Sequence, residues 1–160
     1  MDQKWSGKTL GLIGTKQTIN SGIYSKKAEA LGKDIHIKSL ATPLLAPMIE
    51  EGFFNHTISE QIIKEYLLQP VLQNIDGLIL GCTHYPYLIP SISRIVTNDI
   101  KIIDSGFAVA RQTKNILHKL NIAQTKEKSN TTHKFYSNKD SNVLTRLLNN
   151  DHLEILSKEF

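Results

Sequence analysis

The chain has 160 residues, of which 40% are hydrophobic and 21% are charged, as in globular domains large enough to bury a core. No apolar run approaches the roughly 18 residues that a membrane-spanning helix needs, and the first residues lack the apolar stretch of a secretory signal. The lysines behind the net charge of +4 are scattered, which argues against nucleic-acid binding. The sequence therefore predicts a cytoplasmic protein with neither a membrane nor a nucleic acid as partner.

Apolar runs and turn residues predict alternating strands and helices. Strands are predicted over residues 9–14, 34–40, 77–81, 100–103, 134–136 and 153–156. Helices are predicted over residues 15–32, 56–72, 86–96, 107–120 and 140–148, with a proline-containing connection before the second of them. Repeated strand–helix units of this length predict an α/β fold, with a parallel sheet flanked by helices on both faces.

Polar, glycine-marked segments follow four of these strands, where open α/β sheets bind ligands. They are Gly14-Thr15, Ala41-Thr42-Pro43, Gly81-Cys82-Thr83-His84 and Asp104-Ser105-Gly106. The third segment holds the only cysteine of the chain, which cannot form an internal disulfide and fits a reducing compartment. One thiol and six histidines without close paired spacing do not form the pattern of a metal site.

Cys82 follows a predicted buried strand and precedes a predicted helix. The positive end of a helix dipole favours the thiolate form of a cysteine, and a neighbouring imidazole such as that of His84 can hold or move its proton. A buried, inert thiol is the alternative interpretation, since most lone cysteines are of that kind. The position of Thr83 and His84 beside the thiol favours the reactive one.

The segment Ile79-Leu80-Gly81-Cys82-Thr83-His84-Tyr85-Pro86 resembles the second signature of the aspartate/glutamate racemase superfamily, and its histidine is similar to that of the glutamate racemases. Further segments resemble family landmarks in the same order, namely residues 11–18, 21–24, 41–52, 102–105 and 135–137. Thr42 stands where cysteine is common in the family. The resemblance extends from about residue 9 to the C-terminus.

The resemblance implies a glutamate racemase, an isomerase that interconverts L- and D-glutamate without a cofactor and supplies D-glutamate for peptidoglycan, cell-wall biogenesis and cell shape. In that family two cysteines on opposite faces of the substrate each transfer one proton, and Cys82 matches the second of them. His84 matches the residue that assists this thiol, and Glu50 matches an acidic residue with an auxiliary catalytic role. A solvated surface acid beside Glu51 is the alternative interpretation of Glu50.

The resemblance also implies a set of substrate contacts. Thr83 and His84 match residues that bind glutamate, and Thr15 and Thr18 match hydroxyls near the substrate carboxylate. Two other functions stay open from the sequence: a non-catalytic carboxylate-binding remnant, and a related enzyme such as an aspartate racemase or a thiol hydrolase.

The family's Ala-Cys-Asn-Thr motif, which carries the first catalytic thiol, has no counterpart in this sequence. On the family's two-domain plan, residues 1–103 are expected to form the second α/β domain, and residues 104–160 the C-terminal half of an incomplete first domain. Strands near Phe135 and Ile155 would then lack partners. We therefore expect a truncated or split protein that is inactive alone and needs a complementary N-terminal racemase fragment, with a homodimer as the other possible assembly.

Overall fold

The computed structural model describes residues 5–54, 56–123, 132–138, 141–148 and 153–159. The chain divides into two compact units. The first unit comprises residues 1–49 and 53–107, and the second comprises residues 50–52 and 108–160. Both are built from strands and helices, so the predicted α/β class is confirmed.

A four-stranded parallel sheet forms the centre of the first unit, in the order β2-β1-β3-β4. Its strands are β1 (Thr9–Gly14), β2 (His36–Ala41), β3 (Gly77–Leu80) and β4 (Lys101–Ile103). The inner strands β1 and β3 are almost wholly apolar because helices and loops cover both of their faces. This order begins like that of flavodoxin-like sheets, whose chain connections diverge between β1 and β3.

The core of the first unit consists of aliphatic side chains from the inner strands and from helices on either side of the sheet. Its fully buried strand residues are Leu10, Leu12, Ile13, Leu78 and Leu80. Ile49, Ile63, Leu88 and Ile92 contribute equally buried side chains from the helical segments. This core holds the strands in register and therefore fixes the loops that leave their carboxyl ends.

The helices of the first unit are shorter than the sequence predicts. They are α1 (Lys16–Asn20), α2 (Ile23–Ala30), α3 (Leu45–Glu50), α4 (Thr57–Leu67) and α5 (Ile89–Ile95). The helix predicted over residues 15–32 is interrupted between α1 and α2, where Gly22 adopts φ of +62°. The helix predicted over residues 56–72 ends early because Pro70 disfavours a helical Gln69, and a separate 3-10 turn follows at Pro70–Leu72.

The second unit contains α6 (Gly106–Lys119) from its third residue onward, together with β5 (His133–Ser137), α7 (Ser141–Leu148) and β6 (Leu153–Ser157). β5 and β6 pair in parallel, with Phe135 opposite Ile155. The expectation that these strands lack partners is thus wrong in one respect, because they pair with each other. Asp140, the first residue of the last predicted helix, lies outside the described residues.

Candidate active site

The loops after β1 and β3 lie side by side at the carboxyl edge of the sheet. Ile13 pairs with Leu80, and the Gly81 N–H donates a hydrogen bond to the Ile13 carbonyl at 2.8 Å. Thr15 and Cys82 therefore lie next to each other in the two loops, each two residues after the last paired residues, Ile13 and Leu80. Between β1 and β3 the connections of such a sheet diverge, and the crevice opened there is where open α/β folds bind ligands.

Cys82 is a free, half-buried thiol with an imidazole beside it. Its Sγ lies 3.7 Å from His84 Nδ1, within reach of a sulfur hydrogen bond. The Thr83 hydroxyl lies 3.5 Å from the same nitrogen. The direction of each contact depends on the histidine tautomer, so the imidazole is able either to accept the thiol proton or to donate to the thiolate.

The α-helix after Cys82 begins later than the sequence predicts, so its dipole acts on the thiol less strongly than expected. The helix predicted over residues 86–96 starts instead with a 3-10 turn, Tyr85–Leu88, and α5 begins only at Ile89. The Tyr85 N–H donates to the Cys82 carbonyl at 3.2 Å, which closes the thiol-bearing loop into a tight turn. The neighbour positioned to influence the thiol is therefore His84 rather than a long helix.

Two further hydroxyls converge on the same edge of the sheet. Thr15 caps α1 by accepting a hydrogen bond from the Thr18 N–H at 3.2 Å, and the two hydroxyl oxygens lie 3.0 Å apart. A methyl group added at Gly81 would lie 3.5 Å from Thr18 Cγ2, an ordinary contact distance, so Thr18 packs beside the residue that precedes Cys82. The structure thus groups Thr15 and Thr18 with the Cys82 loop.

Glu50 is the one predicted site residue that is not part of this grouping. It is the last residue of α3, its side chain is exposed, and the segment 50–52 belongs to the second unit. Its auxiliary catalytic role therefore stays a prediction from the resemblance.

Thr42 and Tyr85 were not assigned a role from the sequence, yet both are completely buried next to the site. Tyr85 Oη lies 2.7 Å from Thr42 Oγ1, and burial raises the pKa of the Tyr85 phenol to about 12. The sequence feature that could have indicated this contact is the tyrosine after the Cys-Thr-His segment, because a buried phenol needs a hydrogen-bond partner. The partner itself, 43 positions earlier, could not be read from spacing.

Within the part of the chain that the structure describes, no group of three or more His, Cys, Asp or Glu side chains is arranged to hold a metal ion. No helix of these residues is long and apolar enough to cross a membrane. The described site brings together a thiol, an imidazole and hydroxyls.

A family model described as Asp/Glu/Hydantoin racemase matches residues 1–113. The chain belongs to this racemase family. The resemblance inferred from the Cys-Thr-His segment is thereby confirmed, and the Cys82 loop lies within the matched residues.

Relatives within this racemase family carry the similarity beyond the matched segment. Glutamate racemase from Streptococcus sanguinis is 38% identical over 128 residues, which are 80% of this chain and 48% of the relative. The crystal structure of glutamate racemase from Francisella tularensis in complex with D-glutamate superposes with a TM-score of 0.78 at 35% identity, over 94% of this chain and 58% of that one. The structure of a Bacillus anthracis glutamate racemase gives a TM-score of 0.82 at 30% identity, over 96% of this chain and 58% of that one. The chain thus spans about half the length of the curated relatives it matches.

Proposed function

We propose that this chain forms part of a cofactor-independent glutamate racemase and supplies one of its two proton-transferring groups, Cys82. The observation that carries the proposal is the position of the only thiol, half-buried in the loop after β3 beside the carboxyl end of β1, with His84 Nδ1 at 3.7 Å. The family match and the similarity to proteins named glutamate racemase support glutamate as the substrate. We place the reaction in the cytoplasm, where it supplies D-glutamate for peptidoglycan and so serves cell-wall biogenesis and cell shape.

The reaction moves two protons. The Cys82 thiolate takes the α-proton of glutamate, and the electron pair of the broken C–H bond stays on the α-carbon and spreads into the adjacent carboxylate. A thiol on the opposite face then gives its proton to the α-carbon, and in the reverse direction the two sulfurs exchange roles. A single fixed base on one face would return the starting enantiomer, so two groups are required.

His84 and the nearby hydroxyls have separate roles in this proposal. His84 assists Cys82 by holding its proton between turnovers, for which its Nδ1 is within reach of the sulfur. Thr15, Thr18 and Thr83 donate hydrogen bonds to the substrate carboxylates and stabilise the negative charge that develops in the transition state. Glu50 acts as an auxiliary acid or base.

The opposite thiol has to come from polypeptide outside these 160 residues, because Cys82 is their only cysteine. We propose that an N-terminal racemase segment, in the same polypeptide or a separate one, provides it. On this plan residues 1–103 are one α/β domain, and residues 104–160 are half of another that the N-terminal segment completes. Among the described residues, β5 and β6 form a two-stranded sheet, which supports the need for further strands. A homodimer is the alternative, and it would bring only a second copy of Cys82.

The proposal is tested by exchange of the glutamate α-hydrogen in D2O, followed by NMR, together with the optical rotation of the product. The chain is assayed alone, mixed with the N-terminal half of Streptococcus sanguinis glutamate racemase, and fused to that half in one polypeptide, so that weak association cannot hide activity. We expect exchange and racemisation only with the added half. Cys82→Ala should lower racemisation by about 10²- to 10⁴-fold, the usual contribution of a positioned acid–base group, whereas the opposite thiol can still exchange the α-hydrogen of one enantiomer.

The control is Ser93→Ala, an exposed residue of α5 whose replacement should leave the rates unchanged. Racemisation that survives Cys82→Ala in the fusion would contradict the proposal. Binding of glutamate without exchange would instead indicate a carboxylate-binding remnant, and faster exchange of aspartate than of glutamate would indicate an aspartate racemase.

A further inference from the structure

Two buried hydroxyls link the loops at the carboxyl edge of the first sheet. The Tyr85 phenol lies 2.7 Å from Thr42 Oγ1 and donates to the Thr42 carbonyl at 3.1 Å. Thr42 Oγ1 contacts the Gly14 carbonyl at 3.2 Å, and the Thr42 N–H donates to that same carbonyl at 2.8 Å. Both side chains have 0% relative exposure, so these bonds do not compete with water.

The three linked residues lie at or after the carboxyl ends of three different strands. Thr42 follows β2, Gly14 ends β1, and Tyr85 lies in the 3-10 turn after β3. β2 and β3 are not neighbours, because β1 lies between them in the sheet. The hydroxyl pair therefore joins the loop after β2 to the loop after β3 across the end of β1.

This link reaches the thiol through a short covalent path. Tyr85 is the third residue after Cys82, and its N–H closes the turn by donating to the Cys82 carbonyl at 3.2 Å. With the phenol fixed at one end and the buried strand β3 at the other, the intervening Cys82, Thr83 and His84 have little freedom to separate.

The hydroxyls of Tyr85 and Thr42 have no spare hydrogen-bond donor. Two hydroxyl protons serve three contacts, so removing either hydroxyl leaves a buried polar group with fewer partners. Burial raises the pKa of Tyr85 to about 12, so the phenol stays neutral and keeps its donor proton across the physiological range.

We propose that Tyr85 and Thr42 are positioning residues, whose buried hydroxyl pair holds the Cys82 turn so that the thiol stays within reach of the His84 imidazole. The inference rests on the proposed function in so far as this contact serves proton transfer. The contact itself is measurable in the 160-residue chain, because its single cysteine means that any thiol reagent reports on Cys82 alone.

The test is the rate of alkylation of Cys82 by iodoacetamide at pH 7.5, measured in a double-mutant cycle. His84→Asn should change the rate by about fivefold in the otherwise unaltered chain, the factor expected for one net hydrogen bond. In the Tyr85→Phe background the same replacement should change the rate by less than about twofold, because the contact is already lost. Thr42→Val should act like Tyr85→Phe, and Thr42→Ser, which retains the hydroxyl, should preserve the fivefold effect.

Tyr87→Phe is the matched control, since it removes a phenol hydroxyl two residues further on from a half-buried ring and should leave the His84 effect intact. The melting temperature of each variant is measured in parallel. If Tyr85→Phe lowers it but leaves the His84 effect at fivefold, the pair serves only stability and the proposal is wrong. It is equally wrong if His84→Asn has no effect in the unaltered chain. Neither result depends on racemisation, so the proposed function fails separately, in the racemisation assay with Cys82→Ala.

Discussion

The two units of this chain use similar elements but differ in what they bury. Every buried hydrophobic residue of the described structure lies between Leu10 and Ile92, within the first unit. In the second unit, no described residue of α6 or α7 is buried, and the strands β5 and β6 are at best half-buried. The first unit thus has its own core, whereas the described part of the second has none.

The contrast shows what amphipathic sequence patterns can and cannot establish. α6 and the turn after it carry large apolar side chains, yet these are exposed, among them Phe107 (89%), Val109 (59%), Leu120 (59%) and Ile122 (65%). An apolar stripe on a helix predicts that the stripe is covered in the finished protein, but not by what. A two-stranded sheet is likewise marginal without further strands or a packed face.

The largest expected difference between the units is in amide hydrogen exchange. Amides of β1 and β3 should exchange only through global unfolding of the first unit, whereas those of β5 and β6 should exchange through local opening that costs little free energy. We expect the inner strands of the first unit to be protected by at least about a thousandfold more than β5 and β6, a factor set by the usual range between local and global unfolding. Mass spectrometry of peptides from each strand measures it.

The fusion to an N-terminal racemase half sharpens this comparison. If that half supplies the missing cover, protection of β5 and β6 should rise in the fusion while that of β1 and β3 changes little. Equal protection of both sheets in the chain alone would mean that the second unit is stable by itself, which contradicts the need for a complement.

A matched pair of leucine truncations gives the next largest effect. Leu78 in β3 has 0% exposure, whereas Leu120 after α6 is 59% exposed. Leu78→Ala removes buried methyl groups and leaves a cavity, so it should lower the free energy of unfolding by about 3 kcal/mol. Leu120→Ala should change it by less than about 0.5 kcal/mol, as for most surface positions. Urea denaturation followed by circular dichroism measures both, and a large loss in Leu120→Ala would show that this apolar surface is already covered in solution.

The sequence predicted those parts of the fold that local pattern determines. The apolar runs ending at Gly14 and Gly81 predict β1 and β3, because an inner parallel strand is apolar on both faces. The break between α1 and α2 was missed, although Gly22 supplies a left-handed conformation that other residues adopt only at a cost. Helix periodicity continues across such a break, so only the backbone angle reveals it.

For the candidate site too, the sequence predicted the residues of local motifs but not the contacts between distant loops. The Cys-Thr-His segment indicated the thiol and its imidazole, and the resemblance added Thr15 and Thr18. The pairing of Tyr85 with Thr42 depends on two loops brought together by the strand order β2-β1-β3, which no local pattern contains. The grouping of Glu50 with the second unit is of the same kind, since it depends on tertiary contacts.

The smallest expected effects come from two ion pairs, one in each unit. In the first unit Asp76 Oδ1 lies 2.7 Å from Lys8 Nζ, and Asp76 Oδ2 accepts the Thr9 N–H at 2.9 Å. In the second, Lys134 Nζ lies 3.0 Å from Glu154 Oε2, across the pairing of β5 with β6. Lys8 and Asp76 directly precede the paired strands β1 and β3, and Lys134 and Glu154 lie opposite each other in β5 and β6. Among the described residues, a backbone hydrogen bond accompanies the first pair and not the second.

The two pairs should fail at opposite ends of the pH scale. The hydrogen bonds from Lys8 and the Thr9 N–H lower the pKa of Asp76 below its usual 3.8, so its contribution to stability is complete above that value and is lost as the pH falls through the lowered pKa. The hydrogen bond to Glu154 raises the pKa of Lys134 above 10.5, so its contribution is complete below 10.5 and is lost as the pH rises through the raised pKa.

Replacing one member of each pair separates these two contributions. Asp76→Asn should reduce the loss of stability that the first unit shows as the pH falls, and Lys134→Met should reduce the loss that the second unit shows as the pH rises. The larger change is expected at Asp76, because its replacement also removes the negative charge that accepts the Thr9 N–H. Both pairs are exposed, so 1 M NaCl should weaken each effect. Strand-resolved hydrogen exchange across a pH series, corrected for the intrinsic exchange rate, measures the two losses separately. The expected difference is wrong if β5 and β6 lose as much stability at alkaline pH as β1 loses at acid pH. That result would mean that the two-stranded sheet depends on its ion pair as much as the four-stranded sheet does.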